Sequence, residues 1–220
     1  MTTTAASILR LRLPISDRYP VAAGVTFLVV AALALAGIGR GHPFGRVGIA
    51  NLVTGMRGIL TALVAGALLE VRSEDLAWAL VVLAIAALVL DGFDGWAARR
   101  QGVVSAFGAR FDMEVDALLI LLLSLLAWML GKAGPWIVVV GLLRYAFVAA
   151  GWLWPIFTRP LPPSFRRQAV CVIAGLALAL LLAPPVLPQV STAVALLALL
   201  PIVASFAIDT VWLLRHHPAA

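Results

Sequence analysis

A group of four carboxylates stands in the middle of this chain, between two long apolar runs. The sequence has seven aspartates, and four of them, Asp91, Asp94, Asp112 and Asp116, fall within 26 residues of one another. The first two are three residues apart and the last two are four apart, so on two consecutive helices each pair projects from one face. Four carboxylates at the mouth of one helical hairpin suit one or two Mg²⁺ or Mn²⁺ ions, which prefer oxygen ligands and leave positions for water and phosphate. The spacing therefore predicts a divalent metal site for a phosphate-bearing substrate.

The residues between the two pairs complete the predicted site. Ser105 is placed to cap the second helix of the hairpin. Gly95, Ala98 and Gly108 keep the neighbouring helix faces small, which allows close helix approach or room for a ligand. Arg99 offers a fork of donors to a phosphate group.

The composition is that of a polytopic membrane protein. Hydrophobic residues make up 63% of the chain and charged residues 12%, against about 45–50% and 25% in soluble domains. A chain in lipid must satisfy its own backbone hydrogen bonds, so we expect an all-α fold. The net charge of +6 is typical of cytoplasmic loops and lipid headgroup contact, and it leaves no soluble face for nucleic acid. Seven apolar segments are long enough, or nearly so, to cross a bilayer: 21–38, 48–70, 76–98, 106–131, 134–157, 167–187 and 190–214.

The distribution of arginines predicts the orientation. Arg99, Arg100 and Arg110 flank the carboxylate hairpin, which places the carboxylates on the cytoplasmic side. The segment 21–38 is harder to orient, because a spanning helix there would put the arginines of residues 10–18 outside. It either spans the membrane or lies in the interface.

Three further arginines are candidates for the acceptor side of the site. Arg144 lies inside an apolar run, so we expect it to face a polar cavity, with snorkelling or a pair with Asp209 as the alternative. Arg166 and Arg167 open the helix after a proline-rich turn. They either anchor the protein at the inner membrane surface or bind a phosphate on the acceptor. We expect Asp209 to pair with an arginine.

These residues resemble the signature of the CDP-alcohol phosphatidyltransferase family. The signature, DxxDGxxAR(x)8GxxxDxxxD, is matched at every specified position between residues 91 and 116. Upstream, ANLVTGMR is similar to a second family motif, PNxxTxxR, with Asn51, Thr54 and Arg57 in place and Ala50 where proline is usual. The positions that match the first motif are Asp91, Asp94, Gly95, Ala98, Arg99, Gly108, Asp112 and Asp116.

The resemblance implies a homodimeric enzyme of phospholipid biosynthesis in the bacterial inner membrane. Such an enzyme transfers a phosphatidyl group from CDP-diacylglycerol to an alcohol and releases CMP, with Mg²⁺ or Mn²⁺, as two ions, as its cofactor. It also implies a six-transmembrane-helix domain at 48–214, with residues 1–47 as an extra N-terminal apolar helix and 215–220 as a cytoplasmic tail.

The resemblance also implies roles for the matching residues. Asp91, Asp94, Asp112 and Asp116 would bind metal, and Asp116 would also accept the proton of the attacking hydroxyl. The residues that would contact CDP-diacylglycerol are Gly95, Ala98, Arg99, Gly108, Ser105, Thr54 and Arg57. The acceptor stays open, and the Arg166–Arg167 pair favours a phosphorylated polyol such as glycerol 3-phosphate or inositol phosphate.

Two other kinds of protein place carboxylates among membrane helices. Secondary transporters and cation channels do so, but they commonly distribute polar residues over both halves of the chain. Intramembrane prenyltransferases hold magnesium diphosphate with two Asp-rich motifs far apart in a longer chain. The crowding of four aspartates on one hairpin favours the phosphatidyltransferase over both.

Overall fold

The computed structural model describes residues 16–41, 49–70, 73–101 and 106–216, and within these ranges all regular structure is helical. Side chains are described there except at 33–41, 49–52, 93–101, 106–107, 109 and 188. The α-helices are α1 (Arg18–Gly41), α2 (Ile49–Gly66), α3 (Glu74–Gln101), α4 (Ala106–Met129), α5 (Val139–Leu153), α6 (Phe165–Leu181) and α7 (Pro188–Arg215).

Each of the seven predicted apolar segments overlaps one of these helices, although the ends differ. The clearest difference is at 134–157, where α5 covers only the middle and a short 3₁₀ turn lies on each side. Pro135 and Pro155 stand at the starts of those two turns. Pro135 is at the first position of its turn, where a missing backbone N–H is tolerated, and the turn continues directly into α5. Pro155 follows the end of α5 and lacks the N–H that a continuing α-helix needs.

Three helices within the described residues are long and apolar enough to cross a membrane. They cover Glu74–Gly92, Pro135–Leu153 and Gln189–Arg215, and shorter apolar helices lie at Arg18–Ala32 and Val53–Leu69. A transmembrane helix needs roughly 20 apolar residues to cross the hydrocarbon layer. The expected count of six spans in the core therefore stays a prediction.

Helix α1 packs lengthwise against α2. The hydroxyl of Tyr19 donates to the backbone oxygen of Leu63 at 2.7 Å, and a Cβ at Gly66 would lie 2.9 Å from the Tyr19 ring. Further along α1, Val30 contacts the position of Gly58 at 3.3 Å. Because the start of α1 meets the end of α2 and its middle meets the middle of α2, the two helices are antiparallel. Whether this first apolar segment spans the membrane stays a prediction, because Arg18–Ala32 is one of the shorter apolar helices.

Helix α4 lies at the centre of the bundle. It contacts α1, α2, α5 and α6, while α3 packs between α2 and α6, and α7 packs against α5 and α6. The α4–α5 crossing is close because Gly141 of α5 faces Leu121, and a Cβ at Gly141 would overlap the Leu121 backbone. This arrangement brings α2, α3 and α4 together around one space.

Lys132 connects the ends of two helices at the end of the bundle away from the carboxylates. Its ammonium group donates to the backbone oxygens of Ala183, Pro184 and Val186, at 2.9, 3.2 and 3.3 Å. These carbonyls follow the C-terminus of α6, where helical carbonyls have no partner in the helix and a cation is favoured. The only lysine in the sequence therefore ties the end of α4 to the end of α6.

Candidate active site

Three helices contribute charged side chains to one space inside the bundle. Arg57 is eight residues into α2, Asp91 is ten residues before the end of α3, and Asp112 and Asp116 are six and ten residues into α4. At a rise of about 1.5 Å per residue, these positions lie about 9–15 Å from the helix ends. The charges therefore lie within the bundle.

Asp91, Asp112 and Asp116 form a carboxylate triad. One oxygen from each lies within 4.8 Å of the others, and their side chains are 27%, 34% and 26% exposed. Ligand oxygens about 2.1 Å from an octahedral ion stand about 3–4 Å apart, so the triad needs only a small closure to share one ion. Carboxylate oxygens are also the donors that Mg²⁺ and Mn²⁺ prefer. The triad is therefore suited to a hard divalent cation.

The guanidinium of Arg57 contacts every member of the triad. Its Nη1 lies 2.9 Å from Oδ1 of Asp91 and also donates to Oδ1 of Asp112, while Nη2 donates to Oδ1 of Asp116. The Arg57 side chain is 1% exposed. The sequence indicated a contact between Arg57 and the nucleotide, whereas the structure places the side chain against the carboxylates that were expected to bind metal.

The structure places the other predicted site residues on the same helices but describes only some of their side chains. Thr54 is buried on α2, one helical turn before Arg57, and Gly108 is half-buried on α4. Asp94, Gly95, Ala98 and Arg99 belong to α3, and their side chains lie outside the described set. Ser105, the predicted cap, lies outside the described residues altogether.

Arg144 forms an ion pair that the sequence reasoning did not identify. Its Nη2 lies 2.5 Å from Oε1 of Glu114, so the alternative of a pair with Asp209 was wrong. Glu114 is two residues from both Asp112 and Asp116, which turns it to the opposite side of α4, toward α5. Helical spacing alone would have assigned Glu114 to that face and made it the nearest candidate partner for Arg144.

Arg166 and Arg167 share one carboxylate on α7. Arg166 donates to Oδ1 of Asp209 at 2.5 Å and to the backbone oxygen of Ser205 at 2.8 Å, while Arg167 lies 3.4 Å from the same Oδ1. The expectation that Asp209 pairs with an arginine is confirmed. Two guanidinium groups on one carboxylate leave a net charge of +1, and both side chains are about a third exposed. Arg166 also donates to Oγ of Ser205 and Arg167 to the backbone oxygen of Pro162, so each of the four terminal nitrogens already has a hydrogen-bond partner. What the cluster offers an anion is its net positive charge.

Comparison with known proteins gives one match, to a family. The model of the CDP-alcohol phosphatidyltransferase family matches residues 47–209, which is most of the chain and includes every charged residue of the candidate site. No curated protein and no solved structure matches the chain.

Proposed function

Because the chain belongs to the CDP-alcohol phosphatidyltransferase family, we propose that it transfers a phosphatidyl group from CDP-diacylglycerol to an alcohol. Membership makes it a transferase of substituted phosphate groups that acts in phospholipid synthesis. In the proposed reaction, the acceptor oxygen forms a bond to the phosphorus that carries diacylglycerol. The bond between that phosphorus and CMP breaks, CMP leaves, and the hydroxyl proton passes to the protein. The observation that carries the proposal is the carboxylate triad inside the matched region.

Asp91, Asp112 and Asp116 are the residues that would hold the metal, with Asp94 completing the set. Members of this family depend on metal, and the triad provides oxygen ligands close enough to share an ion. Bound there as Mg²⁺ or Mn²⁺, two cations would neutralise charge that develops on the diphosphate. The three described carboxylates come from consecutive helices, Asp91 from α3 and Asp112 and Asp116 from α4.

Asp116 is the residue that we assign to the acceptor proton. Its Oδ1 already accepts a hydrogen bond from Arg57, so the proton would go to its second oxygen, Oδ2. A positioned carboxylate that takes a proton in the transition state contributes typically about 10²–10⁴ in rate. Covalent attachment of the lipid to the enzyme is not required.

The nucleotide would lie along the face of the hairpin that carries small side chains. Gly95, Ala98 and Gly108 leave room for the cytidine diphosphate, and Arg99, Ser105 and Thr54 offer it hydrogen bonds. Thr54 is 3% exposed and precedes Arg57 by one helical turn, so the two side chains lie on the same face of α2.

The acceptor would be bound by the arginines of α6. Arg166 and Arg167 carry one more positive charge than their shared partner Asp209 neutralises. Guanidinium groups bind phosphate through two parallel hydrogen bonds. We therefore favour a phosphorylated polyol, such as glycerol 3-phosphate or inositol phosphate, over a neutral alcohol. Arg144 is the weaker candidate because Glu114 already balances its charge.

The long apolar helices and the family together indicate an integral membrane protein. We propose that it lies in the bacterial inner membrane as a homodimer with the triad facing the cytoplasm. Arginines concentrated beside the carboxylate hairpin support that orientation.

The test is to incubate the purified protein with CDP-diacylglycerol, Mn²⁺ and a panel of alcohols, and to identify the lipid product by mass. The proposal expects CMP release that requires both the metal and one acceptor, with a phosphorylated polyol as the best substrate. Ion flux through the purified protein without nucleotide, together with no CMP release, would instead support a channel or transporter. Release of diphosphate from a prenyl donor would support a prenyltransferase.

A further inference from the structure

We propose that Arg57 is a positioning residue for the metal site, acting as a built-in counter-cation of the carboxylate triad. In this role it holds Asp91, Asp112 and Asp116 together and limits how tightly they bind a divalent ion. The inference rests on the proposed function, because it concerns the same triad.

The geometry shows one side chain joining three helices. Arg57 comes from α2, Asp91 from α3, and Asp112 and Asp116 from α4. The two terminal nitrogens of the guanidinium reach Oδ1 of all three carboxylates. A guanidinium stays charged at any physiological pH and has a planar, fixed fork of donors. It therefore fixes the distances between the carboxylates and neutralises part of their charge.

Because Arg57 is buried, its guanidinium and the three carboxylates depend on one another for their stability. A guanidinium that is 1% exposed would be strongly destabilising without a carboxylate partner. Three ionised carboxylates within 4.8 Å of one another repel each other unless a cation lies among them. Arg57 reduces the formal charge of the triad from −3 to −2. The contact therefore gives the buried guanidinium its carboxylate partners and gives the carboxylates a cation.

The same contact weakens metal binding. A divalent ion at the triad would use carboxylates that already bind Arg57 and would lie close to its positive charge. Even with the dielectric constant of water, the repulsion between a divalent ion and a guanidinium about 5 Å away weakens binding by more than about tenfold. Arg57 thus keeps the triad assembled while leaving the ion exchangeable.

The experiment measures Mn²⁺ affinity by electron paramagnetic resonance of free Mn²⁺, and melting temperature in EDTA and in saturating Mn²⁺. Arg57→Gln should bind Mn²⁺ at least about tenfold more tightly than the wild type. It should also melt lower in EDTA and gain a larger rise in melting temperature from Mn²⁺. Arg57→Lys keeps the positive charge and loses the planar fork, so its Mn²⁺ affinity should lie between those of the wild type and Arg57→Gln. The matched control is Arg144→Gln, which removes another intramembrane guanidinium that pairs with Glu114 and should leave Mn²⁺ affinity unchanged.

Equal or weaker Mn²⁺ affinity in Arg57→Gln would overturn the inference while leaving the proposed function intact. If Arg57→Gln cannot be isolated without Mn²⁺, the double variant Arg57→Gln with Asp116→Asn decides, because it restores the formal charge of −2. The double variant should be isolable in EDTA, and its failure would overturn the counter-cation role. A wild-type protein that binds no Mn²⁺ would count against the metal site itself, and so against both proposals.

Discussion

Replacing Asp112 by asparagine should separate the catalytic role of the triad from its contribution to stability. Asp112 takes part in two repulsive carboxylate pairs within 4.8 Å and in one attractive contact with Arg57. At an effective dielectric constant of about 20, each repulsive pair costs about 3.5 kcal/mol and the attractive pair contributes about 4–5 kcal/mol.

The two repulsive pairs that the variant removes outweigh the attractive contact that it loses, so the folded protein should keep its stability. We expect Asp112→Asn to melt no more than about 4 °C below the wild type in EDTA, which corresponds to about 1 kcal/mol for a chain of this size. Turnover should behave differently, because a missing metal ligand removes several kcal/mol of transition-state stabilisation. A loss of about 4 kcal/mol corresponds to about 10³ in kcat.

The assay follows CMP release over a Mn²⁺ titration and, on the same preparation, melting by tryptophan fluorescence. Asp75→Asn is the matched control, because Asp75 is an exposed carboxylate in the first turn of α3, at the opposite end of that helix from Asp91. It should leave both turnover and melting unchanged. The reasoning is refuted if Asp112→Asn keeps turnover within about tenfold of the wild type at saturating Mn²⁺. It is equally refuted if melting in EDTA falls by more than about 8 °C, because the carboxylate would then be chiefly structural.

Three further variants test other parts of the site and of the fold. Asp116→Asn should lose about 10²–10⁴ in turnover while nucleotide binding, measured by calorimetry with CDP, is kept; loss of binding as well would make the residue chiefly a ligand. Arg166→Ala combined with Arg167→Ala should raise KM for a phosphorylated acceptor more than KM for CDP-diacylglycerol, and an equal rise in both would indicate a merely structural cluster. Gly141→Ala places a Cβ against the Leu121 backbone, so overpacking of about 1–3 kcal/mol should lower the melting temperature; an unchanged melting temperature would contradict the close α4–α5 crossing.

Much of the fold follows from local sequence patterns. Long apolar segments that must satisfy their own hydrogen bonds become helices, and all seven predicted segments overlap one. The ends were harder to predict, because hydropathy continues through Pro155 while the α-helical backbone ends at Leu153. The antiparallel packing of α1 on α2 depends on Tyr19 fitting over Gly66, a contact between distant residues that hydropathy does not encode.

The candidate site shows the same division between local and long-range information. The three- and four-residue spacing of the aspartates predicted that they lie together, and the structure places three of them within 4.8 Å. The contact of Arg57 with the triad could not be predicted from the spacing of residues along the sequence. Arg57 is 34 residues from Asp91 and 59 from Asp116, and its direction depends on how α2 rotates against the hairpin. Helix rotation is set by packing in the whole bundle.

The most direct test of the shared metal site is anomalous diffraction from crystals of the protein grown with Mn²⁺. If the three carboxylates share one ion, we expect a manganese peak within about 2.0–2.4 Å of carboxylate oxygens from Asp91, Asp112 and Asp116. We also expect the peak to be lost in Asp112→Asn. A manganese ion bound elsewhere, with these three carboxylates holding only Arg57, would contradict the account.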